Sequence, residues 1–188
     1  IVGALRGNEI QQLYICSQLV KALKELEAHG AISHNHEILV IPSVNRFSMN
    51  VGKRFWPTDN SDINRAFPGD VNGDTTKQIA GTLFDRIKGY SYGIHFASFY
   101  MPGDFIPHVK MMDTGFQSAS LANLFGLQYV VIRKPKPMDT VTLNYNWQMN
   151  GTNAFSIYTN STDMIDEKSA RQAVSSVLRF LTLSLIHI

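Results

Sequence analysis

Apolar positions along the chain alternate between short continuous runs and longer stretches with helical spacing. Runs within residues 1–5 and 37–44 predict buried strands of the kind that are covered on both faces. Between them, apolar residues up to about Ala28 recur every three or four positions and predict an amphipathic helix, with Asn8 as its cap. This strand–helix–strand order favours a parallel sheet.

The rest of the chain continues the same alternation. The pattern predicts helices over residues 74–88, 118–125 and 166–183, strands over 92–97, 108–112 and 128–133, and two further β-rich runs around 141–147 and 154–158. We therefore predict an α/β fold, a three-layer α/β/α arrangement with a mixed, mainly parallel sheet. All 188 residues are expected to form one domain. Because the chain starts at Ile1 and not at Met, we expect a fragment truncated at its N-terminus.

Composition narrows the classes of partner. A net charge of +2 gives no electrostatic case for a nucleic acid or an anionic membrane. The chain has no Gly-x-Gly-x-x-Gly sequence and no phosphate loop, so nucleotide binding has no support. Its one cysteine, Cys16, cannot form an internal disulfide, which favours a reducing compartment and a cytoplasmic location. We expect a small-molecule ligand.

One stretch, residues 54–69, has neither a helical nor a strand period and predicts a loop. Arg65 presents a planar fork of donors suited to a carboxylate or a phosphate, and Asn64 adds an amide. Asp59 and Asp62 could hold the loop arginines in place. On residue types alone, a surface loop tied down by Asp–Arg pairs explains the stretch equally well.

Three predicted strand ends place further polar residues near this loop. Residues 6–9 follow the first strand, Asn45 follows the second, and His95 lies near the end of the third. Ligands of open α/β sheets bind outside the carboxyl ends of the strands. The sequence therefore predicts one site formed by these ends and the loop, although a lone histidine on an apolar strand is more often a core residue.

The order of residues in the 54–69 loop, an Asp-Ile-Asn-Arg run that leads to Phe-Pro-Gly, resembles the substrate-binding segment of the succinylglutamate desuccinylase/aspartoacylase family. These proteins are zinc-dependent deacylases with a carboxypeptidase-like fold. The matching landmarks run from Arg6 to about Tyr158. The resemblance implies that Arg54 polarises the scissile carbonyl and that Asn64 and Arg65 hold the carboxylate of the substrate.

The resemblance also implies a zinc site, and here the sequence departs from the family pattern. Glu9 and His95 take the places of the second and third metal ligands, but Arg6 replaces the first, a histidine. An arginine stays protonated and cannot bind zinc, and two ligands are one fewer than catalytic zinc usually has. Tyr158 stands where the family has its general-base glutamate. A phenol is a poor base at neutral pH, but it can donate a hydrogen bond to an oxyanion.

These features leave three readings of the site. The leading hypothesis is a zinc-type hydrolase that cleaves an amide of a small carboxylate-bearing N-acyl compound, with a ligand set rebuilt around His108 or Asp104. The alternative is an impaired member that binds the carboxylate without metal, where Arg6 supplies positive charge as a substrate-binding residue or simply pairs with Glu9. A purely structural module is disfavoured by the intact loop. We expect weak or absent zinc and a hydrogen bond between Arg6 and Glu9.

Overall fold

The computed structural model describes residues 1–33, 35–101 and 103–185. Within them, six strands form one sheet in the order β2-β1-β3-β6-β4-β5. The strands are β1 (Val2–Ala4), β2 (Ile41–Ser43), β3 (Tyr92–Ala97), β4 (His108–Met112), β5 (Tyr129–Arg133) and β6 (Asn153–Tyr158). β4 runs antiparallel to β6, and every other neighbouring pair is parallel. The predicted mixed, mainly parallel sheet is confirmed.

Helices cover both faces of this sheet. They are α1 (Ile10–Ala28), α2 (Arg46–Asn50), α3 (Thr75–Ile87), α4 (Ala119–Asn123), α5 (Leu143–Met149) and α6 (Glu167–Leu185). One core cluster joins α1, α4 and α6 to the sheet, and a second joins α3 and α5 to the opposite face. No helix in the described ranges has the length and apolarity that a membrane span requires.

Alternation along β6 decides which residues face the site. Phe155 and Ile157 are fully buried in the cluster formed with α1 and α6, so Ser156 faces the side covered by α5. Ser156 pairs in register with His95 on β3 and with Lys110 on β4. Because residues in register share a face of the sheet, these three side chains form a row beneath α5.

Two predicted elements differ from the structure. The run 141–147 was predicted to be β-rich, but α5 begins within it, at Leu143. Leu143 and Trp147 are spaced by four and are therefore buried together on one face of a helix. Of the predicted strand 37–44, only Ile41–Ser43 forms a strand.

The predicted cap at Asn8 is wrong. The first helix begins one residue later, after Glu9, and no side chain caps it. The Glu9 carboxylate instead accepts the free backbone N–H groups of Leu5 and Arg6 in the preceding turn. This turn brings Arg6 and Glu9 to the carboxyl end of β1.

Candidate functional site

A cavity of about 220 Å³ lies at the carboxyl ends of the parallel strands, beside the 54–69 loop. Its lining includes Arg6, Arg65, His95, Lys110, Ser156 and Tyr158. The volume is below the range of roughly 300–1,000 Å³ that is typical of drug-sized ligands, so the cavity suits a small molecule. The predicted convergence of the loop with the ends of β1 and β3 is found here, but Asn45 after β2 does not line the cavity, because its side chain caps α2.

Arg6 is the central charge of the site. Its Nε and one terminal nitrogen donate to the two oxygens of Asp62, each at 2.9 Å, and the other terminal nitrogen donates to Glu9 at 3.0 Å. The side chain is only 5% exposed. Burial alone would lower the pKa of Arg6, but Glu9 and Asp62 outweigh it and raise that pKa above its usual range. The predicted Arg6–Glu9 hydrogen bond is confirmed, and Asp62 completes a buried triad.

Glu9 has no unused oxygen in this arrangement. Oε2 accepts the backbone N–H groups of Leu5 at 2.7 Å and Arg6 at 3.0 Å. Oε1 accepts from the Arg6 guanidinium and from the Ser98 hydroxyl. A carboxylate with four donors is already neutralised and is poorly placed to bind a cation.

His95 lies on β3 beside this triad. It is 2% exposed, and its Nε2 has no hydrogen-bond partner in the described residues. Burial is the main cause that lowers the pKa of His95 to about 4, and the Glu9 charge opposes it. The imidazole is therefore neutral at neutral pH, and one buried nitrogen remains available.

The residues present do not fit a zinc ion. Across the described ranges, no group of three His, Cys, Asp or Glu side chains could hold a metal. The Arg6 guanidinium is bonded to both carboxylates near His95, those of Glu9 and Asp62, so neither is free to bind a second cation. The metal-ligand roles of Glu9 and His95 stay predictions from the resemblance.

The rebuilt ligand set is not found either. His108 lies against Tyr158, with ring centroids 4.9 Å apart, and its Nδ1 contacts the carbonyl of Ile106. Asp104 is exposed in the loop after β3. Neither residue joins Glu9 and His95 in a metal-holding group.

The two loop arginines contrast with Arg6. Arg65 is exposed at the cavity, and within the described part of the chain its guanidinium donates only to the backbone carbonyl of Asn64, at 3.0 Å. Arg54 lies over the rings of Tyr100 at 5.0 Å and Phe55 at 5.6 Å, and its Nε and one terminal nitrogen are buried without a partner in the described chain. Burial, together with the Arg6 charge, lowers the pKa of Arg54. Neither arginine has a carboxylate within salt-bridge distance among the described residues.

The polar residues between these arginines fix the loop to the rest of the fold. The Asn64 side-chain oxygen accepts the backbone N–H of Leu143 at 3.1 Å, so Asn64 joins the loop to α5 as well as lining the cavity. Asp59 accepts the Thr76 hydroxyl at 2.8 Å at the start of α3. The expectation that Asp59 holds an arginine is therefore wrong, because α3 supplies its partner.

Tyr158 is part of the cavity wall, as the resemblance implied. Burial raises the pKa of Tyr158, so the phenol is protonated at neutral pH and can act as a hydrogen-bond donor. Its role in any reaction stays a prediction.

Sequence reasoning missed four residues of this wall. They are Lys110, Ser156, Arg133 and Asp139, and the last two are joined by two bonds of 2.6 and 2.7 Å. Lys110 and Ser156 fall inside predicted strands, but only the pairing of β4 with β6 shows that they are neighbours.

Comparison with known proteins gives a consistent picture. A family model described as "Succinylglutamate desuccinylase/Aspartoacylase catalytic domain" matches residues 1–184. A curated relative, the N-alpha-acetyl-L-2,4-diaminobutyric acid deacetylase of Halomonas elongata, is 28% identical over 87 residues, which are 46% of this chain and 23% of that protein.

Solved structures share the fold. A succinylglutamate desuccinylase/aspartoacylase from Rhodobacter sphaeroides superposes with a TM-score of 0.74 at 20% identity, over 96% of this chain and 53% of that one. An aspartoacylase family protein from Mesorhizobium loti gives 0.77 at 19% identity, over 96% and 55%. At these identities the likeness shows the fold alone. This chain spans about half the length of these solved relatives.

Proposed function

The chain belongs to the succinylglutamate desuccinylase/aspartoacylase family, and on that premise we propose that it binds a small carboxylate-bearing N-acyl compound in the Arg6 cavity without zinc. The ligand enters from the side of the 54–69 loop. Arg65 holds its carboxylate. Arg54, which packs on the lining residue Tyr100 but is not itself in the cavity lining, is the residue that we assign to its acyl carbonyl. Arg6, paired with Glu9 and Asp62, forms part of the cavity wall.

One observation carries the proposal. Arg6 is bonded to both Glu9 and Asp62 in a buried triad, whereas Arg65 has no acidic partner in the described residues. A cation already satisfied by two carboxylates needs no ligand, but an unpaired arginine at a cavity is a ready partner for one. The four donors that Glu9 already accepts thus support binding without a metal. The unpaired Arg65 supports a carboxylate on the ligand.

The class of ligand is supported by cavity size and by the relatives. The cavity of about 220 Å³ accommodates only a small compound. The Halomonas elongata relative is named for an N-acetyl amino acid, which carries both a carboxylate and an amide. Those two groups are the ones that Arg65 and Arg54 are suited to bind.

A second candidate is amide hydrolysis of the same compound. It is favoured by the family model, which matches residues 1–184 and describes a catalytic domain. The neutral Tyr158 phenol and the partly unpaired Arg54 could then stabilise an oxyanion. In that case turnover would need a group other than Tyr158 to activate water.

The test combines binding with turnover. Calorimetric titration of a panel of N-acetyl and N-succinyl amino acids, including N-α-acetyl-L-2,4-diaminobutyrate, should give binding that a chelator leaves unchanged. Arg65→Met should weaken binding about 30- to 100-fold, because a charge-assisted bidentate contact is lost. The matched control Arg171→Met, on the exposed face of α6, should have no effect.

The outcomes separate the two candidates. Amine release from the panel, measured with and without added zinc, would establish hydrolysis. Binding without release would support the metal-free binding protein. Absence of binding by every compound on the panel would overturn both.

A further inference from the structure

We propose that the outer edge of β5 pairs with the same edge of a second copy of this chain, so that the two sheets join across a two-fold axis at Val131. β5 (Tyr129–Arg133) is the last strand of the sheet, and β4 is its one neighbour among the described strands. The inference concerns a surface of the fold and does not depend on what the Arg6 cavity binds.

Large apolar side chains are exposed along β5. Tyr129, Val131 and Ile132 are 47%, 40% and 45% exposed. Edge strands that stay unpaired are usually protected by a lysine, a proline or a bulge within the strand. β5 contains neither lysine nor proline, and all five of its residues pair in continuous register with β4. The strand therefore has the composition and the regularity of one that pairs on both edges.

The direction of the backbone groups decides how a second strand pairs with β5. The carbonyl of Arg133 accepts the backbone N–H of Asp113, so the polar backbone groups of Arg133 point toward β4. Because successive residues of a strand point these groups to opposite edges, Val130 and Ile132 direct theirs outward. An antiparallel partner therefore pairs Val130 of one copy with Ile132 of the other, and the two-fold axis falls at Val131 between them.

The side chains that this register brings together are complementary. Arg133 of one copy lies opposite Tyr129 of the second copy, and the two Val131 side chains meet at the axis. The terminal nitrogens of Arg133 bond both oxygens of Asp139 in the plane of the guanidinium, which leaves its face free to stack on a tyrosine ring. The register places no two like charges opposite each other.

The opposite edge of the sheet explains why this pairing closes as a dimer. That edge is β2, which is only three residues long and has Pro42 at its centre. A proline has no N–H to donate and interrupts the ladder that a further strand would need. Pairing of β5 with β2 of another copy, a head-to-tail contact that would continue into fibres, is therefore unfavourable. The self-complementary contact between two β5 strands remains.

The interface adjoins the Arg6 cavity. Arg133 lines that cavity, as does Lys110, which pairs in register with Val131. Tyr129 of the second copy therefore lies beside the cavity wall, next to Arg133. A contact between two five-residue strands is small beside stable interfaces of roughly 1,200–2,000 Å², so we expect a dissociation constant on the order of 10 µM.

Analytical ultracentrifugation tests the pairing. Between about 1 and 300 µM, the average mass should rise from that of one chain to that of two, and no larger species should form. Val131→Lys places two ammonium groups at the axis and should weaken association at least about 10-fold. The matched control is Val71→Lys, at a valine that is 72% exposed in the loop before α3, and it should leave association unchanged.

A pair of cysteine variants tests the register. Val131→Cys, incubated with oxidised glutathione, should give a disulfide-linked dimer, because the Cα atoms of such a non-hydrogen-bonded pair are about 4.5 Å apart. Ile132→Cys should not give one, because Ile132 lies opposite Val130 and not opposite itself. The native Cys16 is fully buried and does not interfere.

Each result supports or overturns the inference. A single-chain mass at every concentration, or association that Val131→Lys leaves unchanged, would overturn the pairing. Species larger than two chains would overturn the two-fold closure, and equal crosslinking of Val131→Cys and Ile132→Cys would overturn the register. If Val131→Lys fails to fold by circular dichroism, the two cysteine variants decide. None of these measurements uses a ligand, so the proposed function is tested separately.

Discussion

Arg6 and Arg65 both line the same cavity, but they differ in burial and in the groups to which they are bonded. Arg6 is buried and carries two carboxylates, at 2.9 and 3.0 Å. Arg65 is exposed, and among the described residues its guanidinium bonds only the backbone carbonyl of Asn64. The first arginine completes the internal structure of the protein, and the second is available to a ligand.

The difference shows that position near a cavity does not by itself make a charge functional. Removing a partner from a buried ion pair leaves an uncompensated charge and costs several kcal/mol, whereas an exposed cation contributes little to stability. Stability should therefore depend on Arg6, and affinity should depend on Arg65. Three substitutions or conditions test this contrast.

The largest expected effect is a gain of metal. Arg6→His removes the cation, takes away one of the two donors to Glu9 Oε1 and places an imidazole near His95. The variant should bind about one zinc ion per chain with micromolar affinity or better, which corresponds to roughly 8 kcal/mol. Elemental analysis after purification without chelators, followed by calorimetric titration with zinc, measures it.

Arg6→Gln is the matched control for that experiment, because it removes the charge without adding a ligand, and it should stay free of zinc. Stoichiometric zinc in the unmodified chain would refute the metal-free reading. An Arg6→His variant that folds but gains no zinc would show that the site is remodelled beyond one residue.

The second effect is on stability. Arg6→Met leaves Glu9 and Asp62 as buried carboxylates without a counter-charge and should lower the free energy of unfolding by about 3–5 kcal/mol. Urea denaturation monitored by circular dichroism measures the loss. Arg65→Met should stay within about 0.5 kcal/mol of the unmodified chain. Equal losses in the two variants would remove the distinction between them.

The smallest effect is a pH dependence. Burial, then the charge of Arg133, lowers the pKa of Lys110 below its usual 10.5; Lys136 acts in the same direction and Asp139 opposes it, and the Tyr158 ring packs against the amine. The Lys110 ammonium lines the cavity and attracts an anionic ligand only while it is protonated. The affinity for the carboxylates of the panel should therefore be greatest at neutral pH and fall, by about tenfold or less, as pH rises through that lowered pKa.

Lys110→Arg provides the control for the titration, because a guanidinium remains protonated throughout the range. The affinity of this variant should be independent of pH up to about 10. An affinity of the unmodified chain that is equally independent of pH would show that the Lys110 charge does not contribute to binding.

Much of the fold could be predicted because the pattern of apolar residues is local. The strands Tyr92–Ala97 and His108–Met112 occur where the sequence placed them, since continuous apolar runs and their flanking turns define them. The helix Leu143–Met149 could not be predicted in the same way. Its run mixes aromatic and amide residues, and burial of Trp147 against the sheet decides its conformation.

The candidate site was predictable only in the parts that a motif or a strand end marks. Arg6, His95 and the 54–69 loop converge because parallel strands end at one edge. The pairing of Lys110 with Ser156 depends on the antiparallel insertion of β4 next to β6, which no local pattern encodes. The partners of Asp59 and Asp62 depend likewise on which distant donors the fold brings to them.

The bond between Asn64 and the start of α5 has a consequence for how the cavity forms during folding. It joins residues 79 positions apart, and the Arg6–Asp62 pair joins residues 56 apart. Contacts of such sequence separation cannot form until the intervening chain has closed its loops, and they slow folding. We therefore expect the cavity to assemble late in folding, when the 54–69 loop docks between the turn after β1 and the start of α5.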